Sequence, residues 1–184
     1  MTFSFDSEEP VYEDTINYFW RGCVCCALCK RPIADAQIFV TNLGDVSALD
    51  GTVGKYSTSG AALNAPLIPG LFQPKGIAVS GDKLFVSSPG SNAIAEYTTS
   101  GVLVNPSVIS GLNAPQALAV SGTDLFVVTD SLTSDSDSVV GKYTTSGATV
   151  NAAFLDNSLG EVLDVEVSGD RVFVARSNQG AIGE

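Results

Sequence analysis

The chain has 184 residues, twenty acidic against nine basic side chains, a formal net charge of −11 and no histidine. A field of that sign repels phosphate backbones and anionic lipid head groups, which excludes nucleic acid as a partner. Without imidazole the chain lacks the usual neutral-pH acid/base and the commonest metal ligand, so histidine triads and histidine-ligated zinc are excluded too, and no stretch has the length and apolarity of a membrane span.

Residues 1–36 form a leader without periodicity that holds the only Trp (Trp20), the only Met and all four cysteines. Cys23, Cys25, Cys26 and Cys29 contain two overlapping CxxC spacings. Three thiolates at CxxCxxC spacing suit an iron–sulfur cluster, whereas an all-cysteine zinc site normally uses two pairs separated by a loop, and no second pair follows. The other reading is a degraded or misassigned leader. A secretory signal needs a basic start and an apolar run of 7 to 15 residues. Here the start is acidic (Asp6, Glu8, Glu9, Glu13, Asp14), and the apolar run from Cys23 to Leu28 is too short.

From Gln37 onward the chain repeats itself. Residues 37–75 are a copy without its opening segment, 76–116 and 117–162 are full copies, and 163–184 are a partial copy. The phrases GKYSTSG (Gly54–Gly60), AEYTTSG (Ala95–Gly101) and GKYTTSG (Gly141–Gly147) mark the register. Tyr56, Tyr97 and Tyr143 are 41 and 46 residues apart, and Gly81, Gly122 and Gly169 are 41 and 47 apart. Such a period belongs to propeller blades or to helical arrays.

Local chemistry selects the propeller. Each full copy runs as a short apolar stretch (IAV in the second), a Ser-Gly turn, a β-rich stretch (KLFVSS), a polar loop, then IAEYTT, Ser-Gly and VLVNPSVIS. That predicts four antiparallel strands, with Gly81, Gly122 and Gly169 supplying the positive φ of a tight hairpin and Gly60, Gly101 and Gly147 doing so one hairpin later. Leu84, Phe85 and Val86 are apolar in succession, as expected of a strand covered on both faces by neighbouring blades. The fold class predicted is therefore all-β: about three to four propeller blades of four antiparallel strands in an incomplete ring. Exposed blade faces and strand edges in such an arc invite self-association.

Phe39 to Tyr56 and Phe126 to Tyr143 span 17 residues, but Phe85 to Tyr97 spans 12. The first and third copies thus carry an insertion in the same loop, which marks one exposed face as the place to look for binding. In the third copy that loop reads DSLTSDSDS. Asp130, Asp135 and Asp137 make it oxygen-rich, which suits Ca2+, although the EF-hand pattern is not met and a solvated loop is the plainer reading.

The pattern P-x-G-I-A-V-S-G-x-x-L-F-V-x-x followed by I-x-E/K-Y-T-T-S-G resembles NHL-type and SMP-30/gluconolactonase-like β-propeller repeats, especially tandem copies in secreted bacterial proteins. The resemblance covers Gln37 to Glu184. It implies an extracellular or periplasmic location, and Ala34-Asp35-Ala36 has the look of the family's leader cleavage site. It also implies that carboxylate and amide metal ligands stand on inner strands in the lactonases. The copies there read Ala78, Ala119 and Glu166, so Glu166 is the candidate ligand, near where a central channel would lie. Because that broad family contains lactonases, lyases and binding propellers, fold does not transfer activity.

Three functions follow as expectations. The first is a non-enzymatic binding or structural scaffold, part of a longer secreted protein, with no cofactor and a protein or small-molecule ligand. The second is the amino-terminal part of a metal-dependent lactonase-like or lyase-like enzyme, and the third is an arc that completes a ring as a dimer.

Overall fold

A computed structural model describes residues 36–45, 47–130, 138–155, 160–177 and 182–183. Residues 1–35, which hold the four cysteines, lie outside the described residues, as do Asp135 and Asp137.

The described chain is built from antiparallel sheets. The first blade has three strands, β1 (Gln37–Asn42), β2 (Gly51–Ser57) and β3 (Ala62–Leu71). The second has four, β4 (Ile77–Ser80), β5 (Lys83–Ser88), β6 (Ala93–Thr98) and β7 (Leu103–Ser110), as does the third, with β8 (Leu118–Ser121), β9 (Asp124–Asp130), β10 (Ser138–Thr144) and β11 (Thr149–Leu155). The fourth contributes β12 (Val162–Ser168), β13 (Arg171–Arg176) and β14 (Ile182–Gly183). Strands follow chain order within every sheet, so each blade is a meander. Among the described residues the first sheet has three strands, beginning at the counterpart of β5, and no strand of the fourth sheet pairs with it.

Packing between sheets explains the apolar runs. Leu84 and Val86 face back into a cluster with Val53 and Ile68 of the first blade. Phe85, between them in sequence, faces forward with Ala78 into a cluster containing Leu118, Leu125 and Val127 of the third. Phe126 and Val128 then face forward against Val165 and Val174 of the fourth. Side chains of a strand alternate between faces, so a central strand with an apolar layer on each side must be apolar throughout. Leu84, Val86, Leu125 and Val127 are fully buried, whereas Ile38 and Val40, their counterparts on the first blade, are 44% and 46% exposed.

The repeated phrase builds a turn and a lock. In the second blade the Thr98 hydroxyl accepts from the Val102 N–H at 3.1 Å and lies 2.7 Å from the Ser100 hydroxyl, while Gly101 N–H donates to Thr98 O at 2.9 Å. Ser57 and Thr144 make the same bonds in the first and third blades. The glycine takes φ of +83°, +90° and +94° at Gly60, Gly101 and Gly147, a region open to glycine and costly for other residues.

The outer strands of the first three blades are bulged opposite that turn. Two residues of β6 from Ile94 to Glu96 span four of β7 from Ile109 to Asn105, and β3 and β11 repeat the shift. The Asn105 and Asn151 side chains accept from the N–H groups of Ser107 and Ala153 inside the bulge. The bulge reaches forward onto the next blade. A Cβ at Gly101 would stand 2.8 Å from the Leu67 carbonyl oxygen of the first blade, and one at Gly147 would overlap the Val108 carbonyl of the second, while nothing lies within 4 Å of one at Gly60. The glycine of the phrase thus serves a positive φ and a close approach between blades.

An ion pair recurs with its charges exchanged. Lys83 meets Glu96 at 2.9 Å in the second blade, and in the third, at the same two places, Asp124 meets Lys142 at 2.7 Å. Lys83→Glu alone sets two carboxylates side by side and is expected to cost about 1 kcal/mol, and adding Glu96→Lys is expected to restore most of it. Urea melts of the two single variants and the double variant check this.

Candidate functional site

Meander topology sorts the connections onto two ends. The tight turns from first to second strand and from third to fourth lie at one end. The longer loops from second to third strand, and the crossings to the next blade, lie at the other, with the insertions.

A polar seam crosses three blades at this loop end. The Thr41 hydroxyl, on the first blade, donates to the Lys75 carbonyl at 2.6 Å where the chain enters the second. Lys75 Nζ donates to the Gln116 Oε1, where the chain enters the third, and Gln116 Nε2 lies 3.4 Å from each Asp130 carboxylate oxygen. Asp130 is further tied through its backbone, accepting from Asn113 Nδ2 at 2.9 Å and donating to Asn113 O at 3.0 Å. Beneath the seam, buried Ser87 receives Gly76 N–H at 2.7 Å and donates to Gln116 O at 2.9 Å. Lys75 and Asp130 remain exposed, so the seam presents a cation, an amide and a carboxylate in a row. Such a row suits recognition of a polar ligand by hydrogen bonds.

The first blade's loop is ordered by its own acids. Asp45 accepts from the Ser47 hydroxyl at 2.6 Å and the Ser47 N–H at 2.8 Å, and Asp50 accepts from Asp45 N–H at 2.7 Å. The two Ser47 bonds hold the Asp45 carboxyl below the usual carboxylate range.

The two described residues among the sequence-predicted ligands fall in separate places. Asp130 lies on the loop end and belongs to the seam. Glu166 is exposed on the fourth blade, where it pairs with Phe173 as Ala78 pairs with Phe85 and Ala119 with Phe126. The alignment of the three positions therefore holds. Their surroundings differ from the channel expected: Ala78 and Ala119 pack into the clusters facing the next blade, so Glu166 stands in an interblade row and faces away from the third blade. The reason is strand alternation, since Val165 and Val167 on the same strand face the third blade. Beside Glu166 is a shallow depression of about 150 Å³ bordered by Asp164 and Phe173. Among the described residues no three acidic or cysteine side chains gather where they could hold a metal ion. No helix there is long and apolar enough to cross a membrane.

Sequence reasoning put the insertions in one repeated loop but missed the seam. Its signal was present: Lys75 and Gln116 each follow a proline at the same point of the repeat, but only the fold reveals that adjacent copies touch there.

No protein-family model and no curated protein sequence matches the chain. Solved structures do match by fold. A gluconolactonase from Xanthomonas campestris superposes with a TM-score of 0.59 at 19% identity, covering 78% of this chain and 51% of that one. A chain of a nidogen/laminin complex gives 0.60 at 12%, covering 81% and 71%. The calcium-binding protein regucalcin from Agrobacterium tumefaciens gives 0.59 at 13%, covering 78% and 51%. The chain is thus similar in fold to SMP-30/gluconolactonase-like and NHL-type propellers, and it spans about half the length of the gluconolactonase and of regucalcin.

Proposed function

We propose that the chain is a binding propeller whose loop end recognises its ligand without catalysis. The observation that supports this reading is the seam Lys75–Gln116–Asp130, which offers donors and acceptors across adjacent blades on the face that carries the insertions. The inner-strand row favours it as well, because Ala78 and Ala119 give that row two methyl groups buried between blades.

A lactonase-like function is the second reading, favoured by the fold shared with gluconolactonases and by the Glu166 carboxylate. Hydrolysis of glucono-1,5-lactone, with and without added Ca2+, Mn2+ or Zn2+, separates the two. The binding reading expects the buffer rate under every condition and no change in Glu166→Gln. A metal-dependent rate that Glu166→Gln abolishes would replace it with the second.

A further inference from the structure

Contacts between consecutive blades follow one rule: the back of each blade is covered by the forward face of the copy before it. Leu84, Val86 and Tyr97 of the second blade are buried in this way against Val53 and Ile68 of the first. Leu125, Val127 and Tyr143 of the third are buried against Phe85 and Ile109 of the second.

The first blade holds the same back face uncovered. Ile38 pairs with Tyr56 as Leu84 pairs with Tyr97 and Leu125 with Tyr143, yet Ile38 and Val40 are exposed. Tyr56 is only half-buried, and it borders a hollow of about 250 Å³ with Val40, Gly54 and Pro66. Gly60 meets nothing where Gly101 and Gly147 meet the outer strand of the blade before. The fourth blade has the converse face free. Phe173 stands in the register of Phe85 and Phe126, which are buried against the next blade, but Phe173 and Ala175 are only half-buried beside the Glu166 depression. Within one chain the two faces leave each other open, and no strand of the fourth sheet pairs with the first among the described residues.

We infer that these faces meet between two copies of the chain, the fourth blade of one on the first blade of the other, so that a head-to-tail pair closes a ring. The internal contacts name the occupant: what covers such a back face is a forward face of the same repeat, and among the described blades the fourth carries the forward face left open. Length agrees, because the chain spans about half of the gluconolactonase and of regucalcin, so two copies carry the chain of about one such propeller. A head-to-tail contact that closes covers both faces of both copies and leaves no end for further growth. Each copy carries −11, so the attraction is apolar burial working against charge repulsion. The described first sheet begins at β1, so the contact runs from β13 to β1 and β2 and leaves Asp164 and Glu166 at its solvated margin. This inference uses sheet faces and is independent of the loop-end reading; its loss leaves the lactone test and the seam untouched.

The test is light scattering of the full chain as it elutes from a gel-filtration column. A discrete species of twice the chain mass is the expected result. Val40→Glu and Phe173→Glu are each expected to weaken the dimer at least about a hundredfold, because each sets an unpaired carboxylate in both contacts of the ring. Leu103→Glu, which puts the same charge on an exposed apolar residue of the outer strand β7, is expected to leave the dimer unchanged. Ile38→Glu repeats the back-face result at a second position, and far-ultraviolet circular dichroism matching that of the unsubstituted chain shows that the variants are folded. A monomer, a ladder of larger species, a dimer that survives Val40→Glu or Phe173→Glu, or one that Leu103→Glu dissociates equally would each overturn the inference.

Discussion

Gly147→Ala is expected to cost about 3 to 5 kcal/mol and lower the melting temperature by about 10 °C, while Gly60→Ala, in the same turn of the first blade, costs only about 1 to 2 kcal/mol. Both glycines hold φ between +83° and +94°, so both substitutions carry backbone strain. Only Gly147 meets the Val108 carbonyl of the preceding blade; the place beside Gly60 is open. Gly101→Ala falls between them, because its Cβ would stand 2.8 Å from the Leu67 carbonyl oxygen. The graded series isolates the bulge-to-turn contact from turn strain. Equal losses at all three positions, in melts of the purified variants, would mean that the glycine serves the turn alone.

Ala119→Glu is expected to lose about 3 kcal/mol or more, whereas Glu166→Ala shifts stability by less than about 0.5 kcal/mol. These positions are equivalent in the repeat and opposite in environment. Ala119 is 4% exposed among Phe126, Val165 and Val174, so a carboxylate there is desolvated and crowded against apolar side chains. Glu166 is exposed on the fourth blade. Urea unfolding of the two variants reads the difference, and a mild effect at Ala119 would place that row in solvent.

How much of this was legible in the sequence depends on the range of each signal. Hairpins were legible because a glycine directly after Ser80 and Ser121 signals a two-residue turn locally, here Gly81-Asp82 and Gly122-Thr123, across which Ser80 pairs with Lys83 and Ser121 with Asp124. Central strands were legible because Leu84-Phe85-Val86 and Leu125-Phe126-Val127-Val128 are apolar on both faces. The outer-strand bulges were not: VLVNPSVIS reads as a plain strand, and the two extra residues after Asn105 appear only once its pairing with Glu96 is known. The Glu166 row was aligned correctly, but which neighbour it faces depends on how sheets stack, to which a single strand is blind. The seam joins Thr41 to Lys75 and Lys75 to Gln116, 34 and 41 positions apart, so no local pattern announces it.

Native-state hydrogen exchange, resolved by residue, tests most directly the claim that the four sheets stack face to face as consecutive blades. The amides of β5 and β9, covered on both sides, are expected to exchange only on global unfolding and at a common free energy of several kcal/mol, while the bulged halves of β3, β7 and β11 exchange first. If β5 and β9 exchanged at unrelated free energies, or no more slowly than the outer strands, the sheets would be independent hairpin units and the blade stack would be contradicted.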